Sequence, residues 1–345
     1  MIPLKTLQKA AKINIISAEQ VDPLYQFIKN EQTPDSTSQD ASLDTPENKE
    51  EPLKFVRSFG DVFITLGIML VVISINMLSL TGYYYLIPAT AFILSAEWLV
   101  RKRRLVLPGM AILIAILFFI NKAFLYGSTE TTFLGLNTTS LILISISCLL
   151  FYLRYNMPFS LLPLAASLVT LTVLQIGSDI LENPIIFVIP GFIIFGFAMW
   201  FDIRDTKRQS HLSDSAFWLH LLAAPLIVHG TMIALLSSEQ SIAPSINNNL
   251  LMGLFFIGFF LIALFIDRRA MLISTQLYAI YALSQLFKND LITSQNVMIY
   301  VLMTLGLLVI FFGTYWYKTR RIIFGMLKNK KISQYVPNLN VLDHK

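Results

Sequence analysis

Of 345 residues, 55% are hydrophobic and 14% charged, whereas a soluble domain carries about a quarter charged residues. The mean hydropathy of +0.64 points the same way and excludes an ordinary water-exposed globule. The net charge of +5 does not mark a nucleic-acid partner, because the basic residues sit in short clusters between apolar runs, as membrane topology signals do. The single cysteine, Cys148, leaves no disulfide framework and no thiolate metal cluster.

Residues 1–30 read as a small cytoplasmic helical hairpin. Its first helix covers about 4–13, and Lys5, Lys9 and Lys12 precede no apolar cleavable leader. Met1 is followed by isoleucine and the chain ends in Leu-Asp-His-Lys, so no lipid anchor is expected. Ser17-Ala18-Glu19-Gln20 fits a capping box, after which Val21, Leu24, Tyr25 and Ile28 recur at the spacing of an amphipathic helix. Residues 31–58 form an acidic, flexible linker, with too little apolar surface between Glu31 and Pro52 to offset ordering.

Residues 59–318 predict an all-α, polytopic transmembrane bundle of about ten spans, and 319–345 a basic cytoplasmic tail. The spans are expected at 60–80, 83–100, 105–125, 138–153, 159–177, 184–201, 215–236, 249–267, 270–287 and 296–317, each near the ~20 residues that cross a bilayer. If the first span starts inside, Arg101, Lys102, Arg103, Arg104, Arg154, Arg204, Lys207, Arg208, Arg268 and Arg269 all fall in inner loops. Of the 26 basic residues, all but Lys122 and Lys288 then lie inside or in the two tails. That distribution predicts cytoplasmic N- and C-termini.

Polar groups within spans are costly and carry functional hypotheses. On the seventh span Asp214, Trp218, Pro225 and His229 share one face, with His220 well round the helix. Pro225 frees a backbone carbonyl near the middle of that span, and histidine is the natural proton carrier there. The plainer readings are an aromatic-belt role for Trp218, a helix cap at Asp214 and interhelical bonds from the histidines. The ninth span carries Ser274, Tyr278, Tyr281 and Gln285 as a stripe, ending at Lys288. Such a stripe lines a wet cavity or packs by interhelical hydrogen bonds. The two histidines of the seventh span lie nine residues apart and cannot chelate as an i, i+4 pair, so no metal site is expected. No cofactor motif or catalytic signature occurs.

Among the remaining polar residues, Glu97 and Arg101 predict an i, i+4 ion pair, Lys122 snorkels at the outer surface, and Asn76 bonds a helix neighbour. Asn137-Thr138-Thr139 is a sequon in an outer loop.

With Ile15-Ile16-Ser17-Ala18-Glu19-Gln20, Leu66-Gly67 and Asn76, the first 120 residues or so resemble DUF2157, a prokaryotic membrane-protein family of unknown function. Met77 and Asn14 stand where that family has tryptophan and glycine. The resemblance implies a bacterial inner-membrane location and supplies no catalytic residue. The leading expectation is a small-solute transporter or permease, proton-coupled through His229. The alternative is a non-catalytic sensor or assembly factor that binds a cytoplasmic protein through residues 17–28. A lipid-modifying enzyme using His220 with Asp202, Asp205 or Asp214 is the third expectation, behind these two. Membrane lipids are the expected surroundings in each case.

Overall fold

A computed structural model describes residues 7, 11, 17–25, 58–125, 135–205, 210–237, 246–268, 271–272, 280 and 294–326. The chain divides into two compact units, Met1–Leu53 and Lys54–Lys345. In the first, a 3-10 turn Ala18–Gln20 runs into helix over 21–25. The Ser17 amide donates to Oε1 of Gln20 at 3.1 Å, one of the two bonds of the predicted capping box. Val21 is buried and Leu24 exposed; Ile28 lies outside the described residues.

The second unit is helical, with no β-strand among the described residues. Among the described residues its longer helices are α1 Phe59–Met77, α2 Leu86–Ala96, α3 Val106–Leu125, α4 Thr138–Tyr155, α5 Leu161–Ile176, α6 Ile185–Arg204, α7 His211–Ser237, α8 Ile246–Ile266 and α9 Ser294–Met326. Among the described residues seven helices are long and apolar enough to cross a membrane: α1, α3, α4, α5 with its leading turn, α6, α7 and α9. The sequence predicts ten. The second predicted span is a composite, a 3-10 turn Gly82–Tyr85, then α2, then a π-helical stretch Glu97–Lys102. α8 is shorter in its apolar part, Leu251–Ile266. Most of the ninth predicted span lies outside the described residues.

These segments are helical because a chain this apolar must satisfy its backbone within each segment. Two helices organise the bundle. α3 packs against α1, α2 and α4, and buries Ile112, Leu113, Ile116 and Phe119 beside Phe92, Cys148 and Phe151. α7 packs against α5, α6 and α8, and joins Val228 and Met232 to Met252, Phe259 and Trp316. By contrast, α1 and α9 turn most of their apolar side chains outward, as lipid-facing helices do. α4 and α5 are tied by the Ser145 and Ser167 hydroxyls at 2.8 Å and by Gln175 Nε2 donating to Thr138 Oγ1 at 3.1 Å.

The contacts also sort the helix ends. Glu97 after α2 meets Arg154 at the end of α4, and Phe159 before α5 stacks edge-on against Trp218 early in α7 at 4.9 Å. At the other end Asn121 Nδ2 donates to the Gly135 carbonyl and Asn137 Nδ2 to that of Phe124, closing the connection from α3 to α4. Asn137 is buried and caps α4 reciprocally with Ser140, so its amide is engaged within the fold rather than offered as a sequon.

Among the described residues α6 and α7 make the most intimate pair. A Cβ at Gly191 would lie 2.8 Å from Ile227 Cγ1 and 3.0 Å from the Ile227 amide nitrogen. One at Gly230 would lie 2.6 Å from Val188 Cγ2 and 2.8 Å from the Pro184 carbonyl oxygen. Ala198, Ala216, Ala223 and Ala224 are fully buried, and such small residues let helix backbones approach closely. Both helices run through an internal proline, Pro190 and Pro225, without being broken. Gly230→Leu is therefore expected to cost about 1–3 kcal/mol by overpacking, seen as a lower thermal midpoint of the detergent-purified protein. Gly196→Leu, where a Cβ meets nothing within 4 Å, is expected to stay within about 0.5 kcal/mol of the parent.

Candidate functional site

The close α6–α7 seam ends at a buried cluster of charges. Asp202, in the last turn of α6, and His220, in the third turn of α7, face each other across it. His220 Nε2 lies 2.9 Å from Asp202 Oδ2, and both side chains are essentially inaccessible. An ionised carboxylate only accepts, so Nε2 carries the proton and donates it to Asp202. The His220 ring meets Phe195 edge-on at 5.3 Å.

Arg268 enters from the end of α8. Its Nη2 donates to Asp202 Oδ1 and its Nε to Oδ2 at 3.4 Å. The same Nη2 donates to the carbonyl and hydroxyl oxygens of Ser213 at 3.0 and 3.1 Å. One carboxylate on α6 is thus shared between an imidazole on α7 and a guanidinium following α8. Arg268 is 2% exposed.

Asp267, immediately before Arg268, reaches the other way. It adopts a left-handed backbone conformation, φ 61°, which aspartate tolerates better than most residues and which ends α8. Its carboxylate accepts from Trp316 Nε1 at 2.8 Å and from Arg320 at 3.0 Å, both on α9. α9 departs from helical geometry at Tyr315 (φ −103°, ψ 15°), next to the tryptophan it presents. Asp267 and Arg268 therefore tie α8 outward to α9 and inward to α6 and α7.

Two further polar groups lie in the same unit. Glu97 accepts from Arg154 at 2.9 and 3.2 Å, from Arg101 at 3.2 Å and from Tyr155 at 3.1 Å, which makes the predicted i, i+4 pair part of a larger, partly exposed network. Asp61, in the first turn of α1, is buried and accepts from Ser58 Oγ at 3.1 Å.

Of the residues singled out in the sequence, His220 sits at the centre of the buried cluster. Asp214, Trp218, Pro225 and His229 occupy the half-buried side of α7. Trp218 packs on Phe159 and Phe217, and His229 meets Phe187 edge-on at 4.6 Å. The structure brings His220 to Asp202, while Asp205 accepts from the Ser210 amide and hydroxyl at 2.8 and 2.7 Å. Ser274, Tyr278, Tyr281 and Gln285 lie outside the described residues, as do Lys207, Arg208 and Arg269. Arg101, Lys102, Arg103, Arg104 and Arg204 are exposed. Lys122 lies over the Phe118 ring at 5.6 Å. No group of three or more metal-ligating side chains occurs among the described residues.

The sequence reading missed Asp267 and Ser213, and took Arg268 only as a topology signal. A charge at the end of an apolar run looks alike whether it meets water or a partner helix. The available hint was the adjacent pair Asp267-Arg268, opposite charges directly following a long apolar stretch.

The chain matches no protein-family model, no curated protein and no solved structure.

Removing one member of a buried ion pair leaves an uncompensated charge, which costs about 3–5 kcal/mol, whereas an apolar replacement of the whole pair is often neutral. Arg268→Met is therefore expected to lower the thermal midpoint sharply, and the double variant Asp202→Leu/Arg268→Met to recover most of the loss. Scanning fluorimetry of the detergent-purified proteins measures both.

Proposed function

We propose that the chain is a proton-coupled transporter or permease for a small solute in the bacterial inner membrane. In this reading it crosses the membrane ten times, keeps both termini in the cytoplasm, and belongs with the DUF2157-like proteins it resembles in its first 120 residues. The observation that carries the proposal is the sharing of Asp202 between His220 and Arg268. Ionisable side chains buried in a bundle of membrane-length helices are expensive, and by default they mark an ion or substrate path.

The chemistry follows from the donor set. With His220 neutral, Arg268 supplies the only full positive charge of the triad. A proton arriving at His220 Nδ1 makes the imidazole cationic, so that two cations compete for one carboxylate and the hold on Arg268 weakens. Since Arg268 also binds Ser213 at the start of α7, protonation bears on the joint of α6, α7 and α8 together. A two-state joint biased by a proton is the element that alternating access needs. His220 takes over here the role expected of His229, because its ring faces the Asp202 carboxylate.

A second reading has an observation of its own. Residues 1–53 form a separate compact unit with Leu24 exposed on its short helix, which suits a tethered module that recruits a cytoplasmic protein. The two readings separate in proteoliposomes loaded with a pH-sensitive dye. Transport predicts proton movement driven by an imposed solute gradient, abolished in His220→Gln and retained after deletion of residues 1–52. Retention in His220→Gln would contradict it. A recruiting role predicts no proton movement in any variant and a co-purifying partner lost with residues 1–52.

A further inference from the structure

We infer that the outward face of α6 carries a binding site for an anionic phospholipid, formed by the Arg204–Trp200 stack above a notch at Gly196. The site rests on the bundle lying in a bilayer and is independent of the transport reading.

The stripe is set by helical geometry. At 100° per residue, Ile193, Gly196, Phe197, Trp200 and Arg204 fall within about 100° of one another on α6. Gly191, Ile194, Ala198 and Asp202 fall on the opposite side, where Gly191 meets Ile227 of α7 and Asp202 meets His220. The outward residues are free of that seam. Ile193, Phe197 and Trp200 are 55%, 58% and 46% exposed. Together with Gly196 they line a shallow depression of about 280 Å³. The depression exists because Gly196 has no side chain, and a Cβ there would meet nothing within 4 Å.

Its occupant is argued from apolarity below and charge above. The depression is walled almost wholly by carbon, which suits an acyl chain. Arg204 lies eight residues beyond Gly196, about 12 Å along the helix, a rise that the glycerol and upper acyl chain of a phospholipid span. The guanidinium carbon of Arg204 sits 3.7 Å from the Trp200 ring centroid. Stacking fixes the plane of the guanidinium and leaves its N–H edges able to take a phosphate in bidentate fashion. The α6 C-terminus favours a cation at that point, and tryptophan favours the headgroup level of a membrane.

The nearby carboxylates do not cancel this charge. Asp205 is engaged by Ser210, and Asp202 is buried on the far side of the helix with Arg268 and His220. A second stack, Arg103 over Trp98 at 4.1 Å, supplies a control: Gly196 has no counterpart in the run from Leu94 to Trp98. A zwitterionic lipid would bring a choline group against Arg204, so the site discriminates by headgroup charge.

The test is native mass spectrometry of the full chain, released from detergent after equilibration with dioleoyl phosphatidylglycerol or dioleoyl phosphatidylcholine. Wild type is expected to retain phosphatidylglycerol over phosphatidylcholine. Arg204→Gln should lower its apparent affinity by roughly tenfold or more, the scale of one lost hydrogen bond to a charged group. Gly196→Leu should lower retention as well, by filling the notch at no cost to the fold, which an unchanged thermal midpoint verifies. Arg103→Gln should leave most of it, and excess inorganic phosphate should not displace the lipid. Equal retention of the two lipids by wild type, displacement by phosphate alone, or undiminished phosphatidylglycerol in both Arg204→Gln and Gly196→Leu would overturn the assignment.

Discussion

A carboxylate buried between two packed helices needs a cation, and at Asp202 that need organises the C-terminal half of the bundle. The Arg268 guanidinium reaches it from the end of α8, while His220 approaches from α7. Because the neighbouring Asp267 holds Trp316 and Arg320 of α9, four helices are coupled through two consecutive residues. Apolar packing alone is weakly directional in lipid, where hydrocarbon surrounds the helices as readily as it fills them. The charged cluster and the glycine-spaced α6–α7 seam supply what packing lacks, a fixed register and a fixed distance.

The N-terminal half is built differently. There α3 forms an apolar centre, with Tyr85 and Phe92 stacked on Phe119, and its polar links are a partly exposed network at Glu97 and a serine pair between α4 and α5. The Glu97 network of the first half is partly exposed, whereas the Asp202 cluster of the second is enclosed. That asymmetry is the reason for seeking function around Asp202 rather than at the more numerous surface ion pairs, whose individual worth is small.

Much of this architecture is legible in the amino-acid sequence. Apolar runs of membrane length are long, continuous signals, and predicted bounds such as 105–125 and 138–153 meet the observed helices Val106–Leu125 and Thr138–Tyr155 within a few residues. The clustering of basic residues is legible for the same reason, and the contacts gather Arg101, Arg154, Arg268 and Arg320 near one set of helix ends. The second predicted span hides a change of helix type, since α2 passes into a π-helical stretch at Glu97 that composition does not register. The site is legible only in fragments. His220 stands out as a costly residue, but helical periodicity on one helix cannot say which face meets which neighbour, so the stripe ending at His229 looks equally good. Arg268 is harder still, because its partners Asp202 and Ser213 lie 66 and 55 residues away in the chain.

The central claim is that protonation at His220 loosens the hold of Asp202 on Arg268 and so the joint of α6 with α8. Spin labels at Ile203 on α6 and Ile262 on α8, both exposed, report that joint by pulsed electron resonance, with the native Cys148 buried away from the label. A distance distribution in nanodiscs that differs between about pH 5 and about pH 8, the range over which an ordinary histidine changes charge, and that loses this dependence in His220→Gln is the predicted result. A distribution unchanged between the two conditions in the parent protein would contradict it.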